Sequence, residues 1–364
     1  SDMSLWKGPT ETGITQSLLQ KFILCRDRFW LHVCEGLRER DEWKFAKYAE
    51  FGSAFHEALE YDLSDRDPIK AINNYHKKLT PRFPTDREAV DYEMVCCKKL
   101  FDEYKKFWTN KDAKHTTILS EEVFSVPYTL PSGRVVKIKG KWDCVFKPTV
   151  RSNKIYLLEH KTKGTIDESK ITTQLHADLQ VGVYLTALQA WAAIHHPKKK
   201  VHGVIYNVIR RPFGDQSAPR LRKNESQGAL IKRAFHGEEG KKPNPKSVYP
   251  VDQNGKEWFK RWKVAFTDED LATFQQRHLN PQLEQLCVWW DSIKDNPDNP
   301  WKTTNKSREH GQVPYVENPH HWRRPFGVYD PMSLGYEGGY YEYCTSGSKI
   351  GLEHVDTLFP ELEN

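Results

Sequence analysis

Long apolar runs are missing from this chain. No stretch approaches the roughly 20 consecutive apolar residues a membrane helix needs, so no membrane association is expected. No apolar segment follows a basic start, so no secretory leader is expected. Paired CxxC spacing is missing as well. The 7 cysteines (Cys25, Cys34, Cys96, Cys97, Cys144, Cys287 and Cys344) are odd in number and scattered. That argues against a disulfide scaffold in a chain this long and fits reduced thiols in a cytoplasmic, reducing compartment. The glycine-rich run GYEGGYYEYCTSGSKIG lacks the GK[ST] ending of a phosphate loop. No helicase or NTPase signature, internal repeat or low-complexity tract occurs. A strong charge of one sign is also lacking: a formal balance of +6 permits nucleic-acid binding without demanding it.

What is present is a change of texture along the 364 residues. Apolar positions Leu18, Leu19, Phe22, Ile23 and Phe29 follow helical spacing, so 14–36 is read as a helix. Further helices are expected over 45–63 and 86–109. From Thr116 the chain becomes β-rich. TTILSEEVFSVPY, GRVVKIKGKWDCVF and KIYLLEHKT are separated by turn signals and predict an antiparallel meander of three strands. One long helix is expected from Ile171 to His196, stopped by Pro197, and then a buried strand over 201–210. The block 116–210 therefore reads as βββαβ. A basic stretch with Arg220, Arg222 and Lys223 follows, either a solvated loop or a nucleic-acid-facing lid. Residues 251–290 are read as helical, and the vicinal pair Cys96-Cys97 as half-buried. Three regions result: 1–115 helical, 116–210 the core, and 211–364 an extension expected to pack on it. The 12 tryptophans and 16 tyrosines are either core or stacking platforms for bases.

Chemistry concentrates in the core. Alternate residues of a strand share a face, so Glu159 and Lys161 point one way and His160 the other. Asp143 lies on the preceding strand. Two carboxylates and an amine can thus converge on one spot. Hard oxygen donors of this kind suit Mg²⁺ or Mn²⁺. Such an ion polarises a phosphoryl oxygen and activates water, while a lysine orients the water or offsets developing charge. The backbone carbonyl of His160 is a further candidate donor. The plain alternative is a cross-strand salt bridge. Two helical pairs stand beside this group: Gly52 with His56, and Gln180 with Tyr184, each one turn apart.

These motifs in this order resemble RecB-type exonucleases of the PD-(D/E)xK superfamily, a group that includes the CRISPR-adaptation exonucleases. The resemblance rests on G-x-x-x-H at Gly52–His56, G-x-x-D at Gly140–Asp143, E-x-K at Glu159–Lys161 and Q-x-x-x-Y at Gln180–Tyr184. It implies an α/β fold, a mixed sheet flanked by helices. It implies metal binding by His56, Asp143 and Glu159, assistance to the attacking water by Lys161, and support of the site and the DNA backbone by Gln180 and Tyr184. It implies a Mg²⁺- or Mn²⁺-dependent DNA nuclease, acting on single strands or duplex ends, with recombination or repair proteins as possible partners. A restriction-like endonuclease and a non-catalytic DNA-binding subunit are the rival readings. Many relatives carry an iron–sulfur cluster held by one N-terminal and three C-terminal cysteines. Cys25 stands in the N-terminal place, but Trp322, Phe326 and Met332 stand where later cysteines are expected. No cluster is expected here, and an apolar plug is expected in its place.

Overall fold

The computed structural model describes residues 4–24, 26–39, 47–164, 166, 168–211, 222–226, 229, 256–296 and 351–363. Cys25, Arg220, Trp322, Phe326 and Met332 lie outside them, as does most of the basic stretch.

The N-terminal segment opens with a two-residue strand, β1 (Ile14–Thr15), followed by α1 (Gln16–Leu24), α2 (Arg26–Phe29) and a π-turn over Trp30–Cys34. The single helix expected over 14–36 is thus a strand and a broken helix. A short strand β2 (Leu37–Glu39) comes next. Then come three helices, α3 (Lys47–Leu63), α4 (Pro68–Arg82) and α5 (Arg87–Asp112). Helix α4 begins at a local signal: Asp67 caps it by accepting from the Ile69 amide at 3.0 Å, and Pro68 follows at the first helical position.

The meander forms as β3 (Thr116–Thr129), β4 (Val135–Lys147) and β5 (Lys154–Lys163). The expected long helix is instead two, α6 (Glu168–Leu175) and α7 (Leu179–His195). The break falls where Asp178 caps α7, accepting from the Val181 amide at 2.8 Å. Strand β6 (Lys200–Arg210) returns parallel to β5. Within 251–290, read as helical, lies a third departure. Residues Phe259–Ala265 form a strand, β7, antiparallel to β6, rather than a helix. Helices α8 (Asp268–Phe274) and α9 (Asn280–Ile293) follow, and β8 (Leu352–His354) pairs with β2.

The central sheet runs β1-β4-β5-β6-β7, with β3 on the other edge of β4. One face is covered by α1, α2, α7, α8 and α9, and the other by α3–α5 with Ile209, Trp258 and Phe259. An aromatic cluster joins the N-terminal segment to α9. Trp6, Phe22, Phe29 and Trp30 meet Trp289 and Trp290 at ring-centroid distances of 4.9–6.3 Å. Cys96 and Cys97 are fully buried, not half-buried, because both turn into the α3–α5 core. No helix among the described residues is long and apolar enough to cross a membrane.

One detail of the sheet positions everything below. Strand β3 pairs with β4 along nearly its whole length, but β5 pairs with β4 only over Cys144–Phe146. On the same edge, β1 pairs with β4 at Ile138 and Lys139. Between these contacts β4 and β5 part, and the Gly140–Asp143 segment is left at the split.

Candidate active site

The split separates Asp143 from Glu159, and their side chains fill the opening. Asp143 Oδ2 accepts from the His160 backbone N–H at 2.9 Å, a bond that replaces the missing ladder contact. Glu159 is buried, with 1 % of its surface exposed. Its Oε2 accepts from Gln180 Nε2 at 3.2 Å, and its Oε1 has no partner. Gln180 accepts from Lys161 Nζ through its own Oε1. One amide in the first turn of α7 therefore holds both ends of the E-x-K motif. Burial drives the Glu159 carboxyl well above its ordinary pKa, and the neighbouring Asp143 charge adds to the rise.

The motif glycines answer to close packing. A Cβ on Gly140 would lie 2.5 Å from the Phe124 ring and 3.0 Å from the Tyr184 ring. A Cβ on Gly52 would lie 2.8 Å from Thr162 Oγ1. The 2.5 and 2.8 Å approaches are shorter than real Cβ contacts, so glycine lets the Phe124 ring, with Tyr184 beside it, sit against β4 and lets α3 approach β5 closely enough to carry His56 to the site. Tyr184 packs edge-on against Phe124 at 5.4 Å, and its hydroxyl is hydrogen-bonded with Gln180. The Tyr184 carbonyl accepts from Trp142 Nε1 at 3.1 Å, which pins α7 to β4.

His56 lies 6.0 Å from His160, ring to ring and nearly perpendicular. Burial lowers its pKa, with Asp143 opposing the shift, which favours the neutral imidazole, the form a metal ligand needs. The His160 side chain lies on the opposite face from Glu159. Its pKa is lowered to about 3, chiefly by burial, and it lines a cavity of about 220 Å³ with Tyr104, Trp108, Phe146 and Arg261. Among the described residues, no group of three or more His, Cys, Asp or Glu side chains stands ready to hold a metal ion. The donor set nonetheless fits one. Mg²⁺ is commonly held by one or two carboxylates and keeps several waters. Here two carboxylates stand together, and one has a buried oxygen without a partner.

The site also contains residues that strand and helix periodicity gave no reason to choose. Glu121 on β3 lies opposite Asp143, between the paired residues Ser120/Cys144 and Glu122/Trp142. Its backbone is left-handed (φ 49°), a conformation that costs a non-glycine residue about 1 kcal/mol or more. It is ion-paired with Lys141. Burial pushes its carboxyl up to about 7, against the hydrogen bond from Lys141 and with help from Asp143. Asp178 contributes negative charge near Glu159. Arg222 and Lys223 are exposed at a short turn.

A family model for the PD-(D/E)XK nuclease superfamily matches residues 14–289, more than half of the chain. This protein belongs to that superfamily and is a nuclease by class, with the mixed sheet and flanking helices of the fold. No curated protein matches its sequence.

Proposed function

We propose that this nuclease is a Mg²⁺- or Mn²⁺-dependent deoxyribonuclease of the RecB-type branch. It would act as an exonuclease on single-stranded DNA or duplex ends, in recombination, repair or phage DNA metabolism. The observation that carries the reading is the buried Glu159 carboxylate. It has an unpartnered oxygen beside Asp143, and Lys161 is tied to it through Gln180. Two neighbouring acids, one of them fully buried, are costly unless a cation compensates them.

In this reading His56, Asp143, Glu159 and the His160 carbonyl hold the metal. When bound, the ion polarises the phosphate and lowers the pKa of a water. Lys161 orients the attacking water and offsets charge on the phosphate. Gln180 fixes the spacing between Glu159 and Lys161, and Tyr184 steadies Gln180. Residues 1–115 supply the GxxxH helix, 116–210 the catalytic sheet and 211–364 the extension. Arg220, Arg222 and Lys223 belong to the DNA-facing surface. No iron–sulfur cluster is required, and the buried free thiols of Cys34, Cys96, Cys97, Cys144 and Cys287 suit a reducing, intracellular setting.

The test is a DNA-degradation assay on linear and covalently closed circular substrates, with and without EDTA. Linear DNA should be consumed with Mg²⁺ or Mn²⁺, spared with EDTA, and circles left intact. A discrete ladder from circles would instead support a restriction-like endonuclease. Binding without cutting under any divalent metal would mean a non-catalytic subunit. A finer expectation concerns Tyr184. Losing one neutral hydrogen bond is worth about 0.5–1.5 kcal/mol, so Tyr184→Phe should slow cleavage by about 2–10-fold with its circular dichroism unchanged. Wild-type rates in that variant would remove the hydroxyl from the mechanism.

A further inference from the structure

A row of polar side chains crosses the sheet at the level of the E-x-K motif, on the face away from Glu159. His160 on β5, Asn207 on β6 and Arg261 on β7 are direct cross-strand neighbours. Asn207 is 0 % exposed and His160 2 %. The row ends on Asp112 at the end of α5, whose two oxygens accept from Arg261 at 2.6 and 3.0 Å. Replacing such a buried row by apolar residues is often neutral or stabilising. Stability alone therefore gives no reason for it.

The hydrogen bonds have a direction. A guanidinium only donates, so Arg261 Nε, 3.1 Å from Asn207 Oδ1, must find the amide oxygen there. That orients the Asn207 amide with its Nδ2 toward His160 Nδ1 at 2.8 Å and Tyr104 Oη at 2.8 Å. Arg261 also donates to the Tyr104 hydroxyl at 3.0 Å. His160 Nδ1 therefore accepts, and its single ring proton sits on Nε2.

His160 touches both parts of the candidate metal site. Its backbone N–H holds the Asp143 carboxylate where β4 and β5 have no ladder bonds, and its ring packs against His56. With the ladder broken at the split, the Asp143–Glu159 spacing depends on where β5 is held. There β5 is anchored through its parallel pairing with β6 and through the His160 side chain.

We propose that Asp112, Arg261 and Asn207 are positioning residues: they lock His160 in one tautomer and one orientation, and through it they set the Asp143, His56 and Glu159 donors for the metal. The proposal rests on the metal-dependent reading above, but one of its tests does not need the metal. Asn207→Asp keeps the volume and replaces the donor facing Nδ1 with an acceptor. Arg261→Met removes the group that orients the amide and is compatible with an apolar neighbourhood.

Nitrogen-15 NMR of histidine-labelled protein should show wild-type His160 with Nδ1 bare and Nε2 protonated. In Asn207→Asp the ring should carry a proton on Nδ1. Calorimetry should show Mn²⁺ binding weakened about 10–100-fold in both variants, the usual cost of losing an outer-shell partner. Thermal melts identify the folded preparations. A wild-type His160 protonated on Nδ1 would overturn the proposal. So would folded Asn207→Asp and Arg261→Met binding Mn²⁺ as tightly as wild type. If wild type binds no Mn²⁺ at all, the metal-dependent reading of the site fails, and the ring-nitrogen shifts still decide whether Asn207 and Arg261 fix the His160 tautomer.

Discussion

Glu159→Gln should make the metal-free protein more stable at neutral pH while abolishing its cleavage. Both effects come from one buried carboxyl. Its folded pKa lies above the ordinary value of 4.5, burial being the main cause and Asp143 the next. Below 4.5 the group is protonated in folded and unfolded chains alike, and its contribution to stability is fully present. As pH rises from there toward the raised folded value, the unfolded chain ionises first and that contribution is lost. At neutral pH wild type therefore carries a penalty that the neutral glutamine avoids, and Glu159→Gln should melt about 2 °C higher or more. Near pH 4 the difference should vanish. Added Mn²⁺ should reverse the order. An ion at 100 times its Kd stabilises the folded state by about 2.7 kcal/mol, and only wild type should gain it. Loss of the metal's charge stabilisation, worth several kcal/mol, should slow cleavage by about 10³-fold or more. Melting curves at pH 4 and 7.5, with and without Mn²⁺, decide the matter. Equal Mn²⁺-dependent shifts in both proteins, or wild-type cleavage by Glu159→Gln, would remove Glu159 from the metal site.

The parts of the site that could be read in the sequence were those carried by local periodicity. Glu159 and Lys161 share a face because strands alternate, and Gln180 and Tyr184 meet because they are one helical turn apart. The structure joins the two pairs through the Gln180 amide. Periodicity also misled where tertiary context won. Leu175 and Leu179 are spaced as in one helix, yet Asp178 between them caps a new one. The 259–265 run mixes basic and aromatic residues in a way that suits a helix face, yet its place against β6 makes it a strand. Asp67-Pro68 is a purely local start signal for α4, a capping carboxylate followed by a proline at the first helical position.

Other features have no local signal. Trp142 and Val145 both face the α7 side although an odd separation should put them on opposite faces. The change of face falls between Trp142 and Cys144, across from the left-handed Glu121, while the register shift of the β3–β4 pairing lies between Thr117 and Leu119. The row His160, Asn207, Arg261 depends on the register of three strands whose residues are up to 101 positions apart (160 to 261). Asn207 and Arg261 carry no local signal, and nothing local gives the His160 side chain a role; their alignment is what gives them meaning.

Lys161→Ala should separate metal binding from water activation. Asp143 and Glu159 bring oxygen donors that a hard cation needs, whereas Lys161 brings a positive charge on the same face of β5, linked to Glu159 through Gln180. Removing the lysine leaves both carboxylates in place and takes away a like charge from the ion's surroundings. Lys161→Ala should therefore bind Mn²⁺ at least as tightly as wild type. Its cleavage should still fall by about 10²–10³-fold, the usual loss when one group that stabilises developing charge is deleted. Asp143→Ala should behave in the opposite sense. It removes a ligand and also leaves the His160 N–H at the split without its acceptor, so Mn²⁺ binding and cleavage should be lost together. DNA binding should persist in both variants, because phosphate contacts elsewhere supply most of that affinity. Mn²⁺ calorimetry, single-turnover cleavage and a DNA-binding titration on the same folded preparations give the three readouts. If Lys161→Ala loses Mn²⁺ binding along with cleavage, the lysine is part of what builds the metal site and the division of labour drawn here is wrong. If Asp143→Ala keeps wild-type Mn²⁺ affinity, the ion sits elsewhere, and the split between β4 and β5 is not where the reaction occurs.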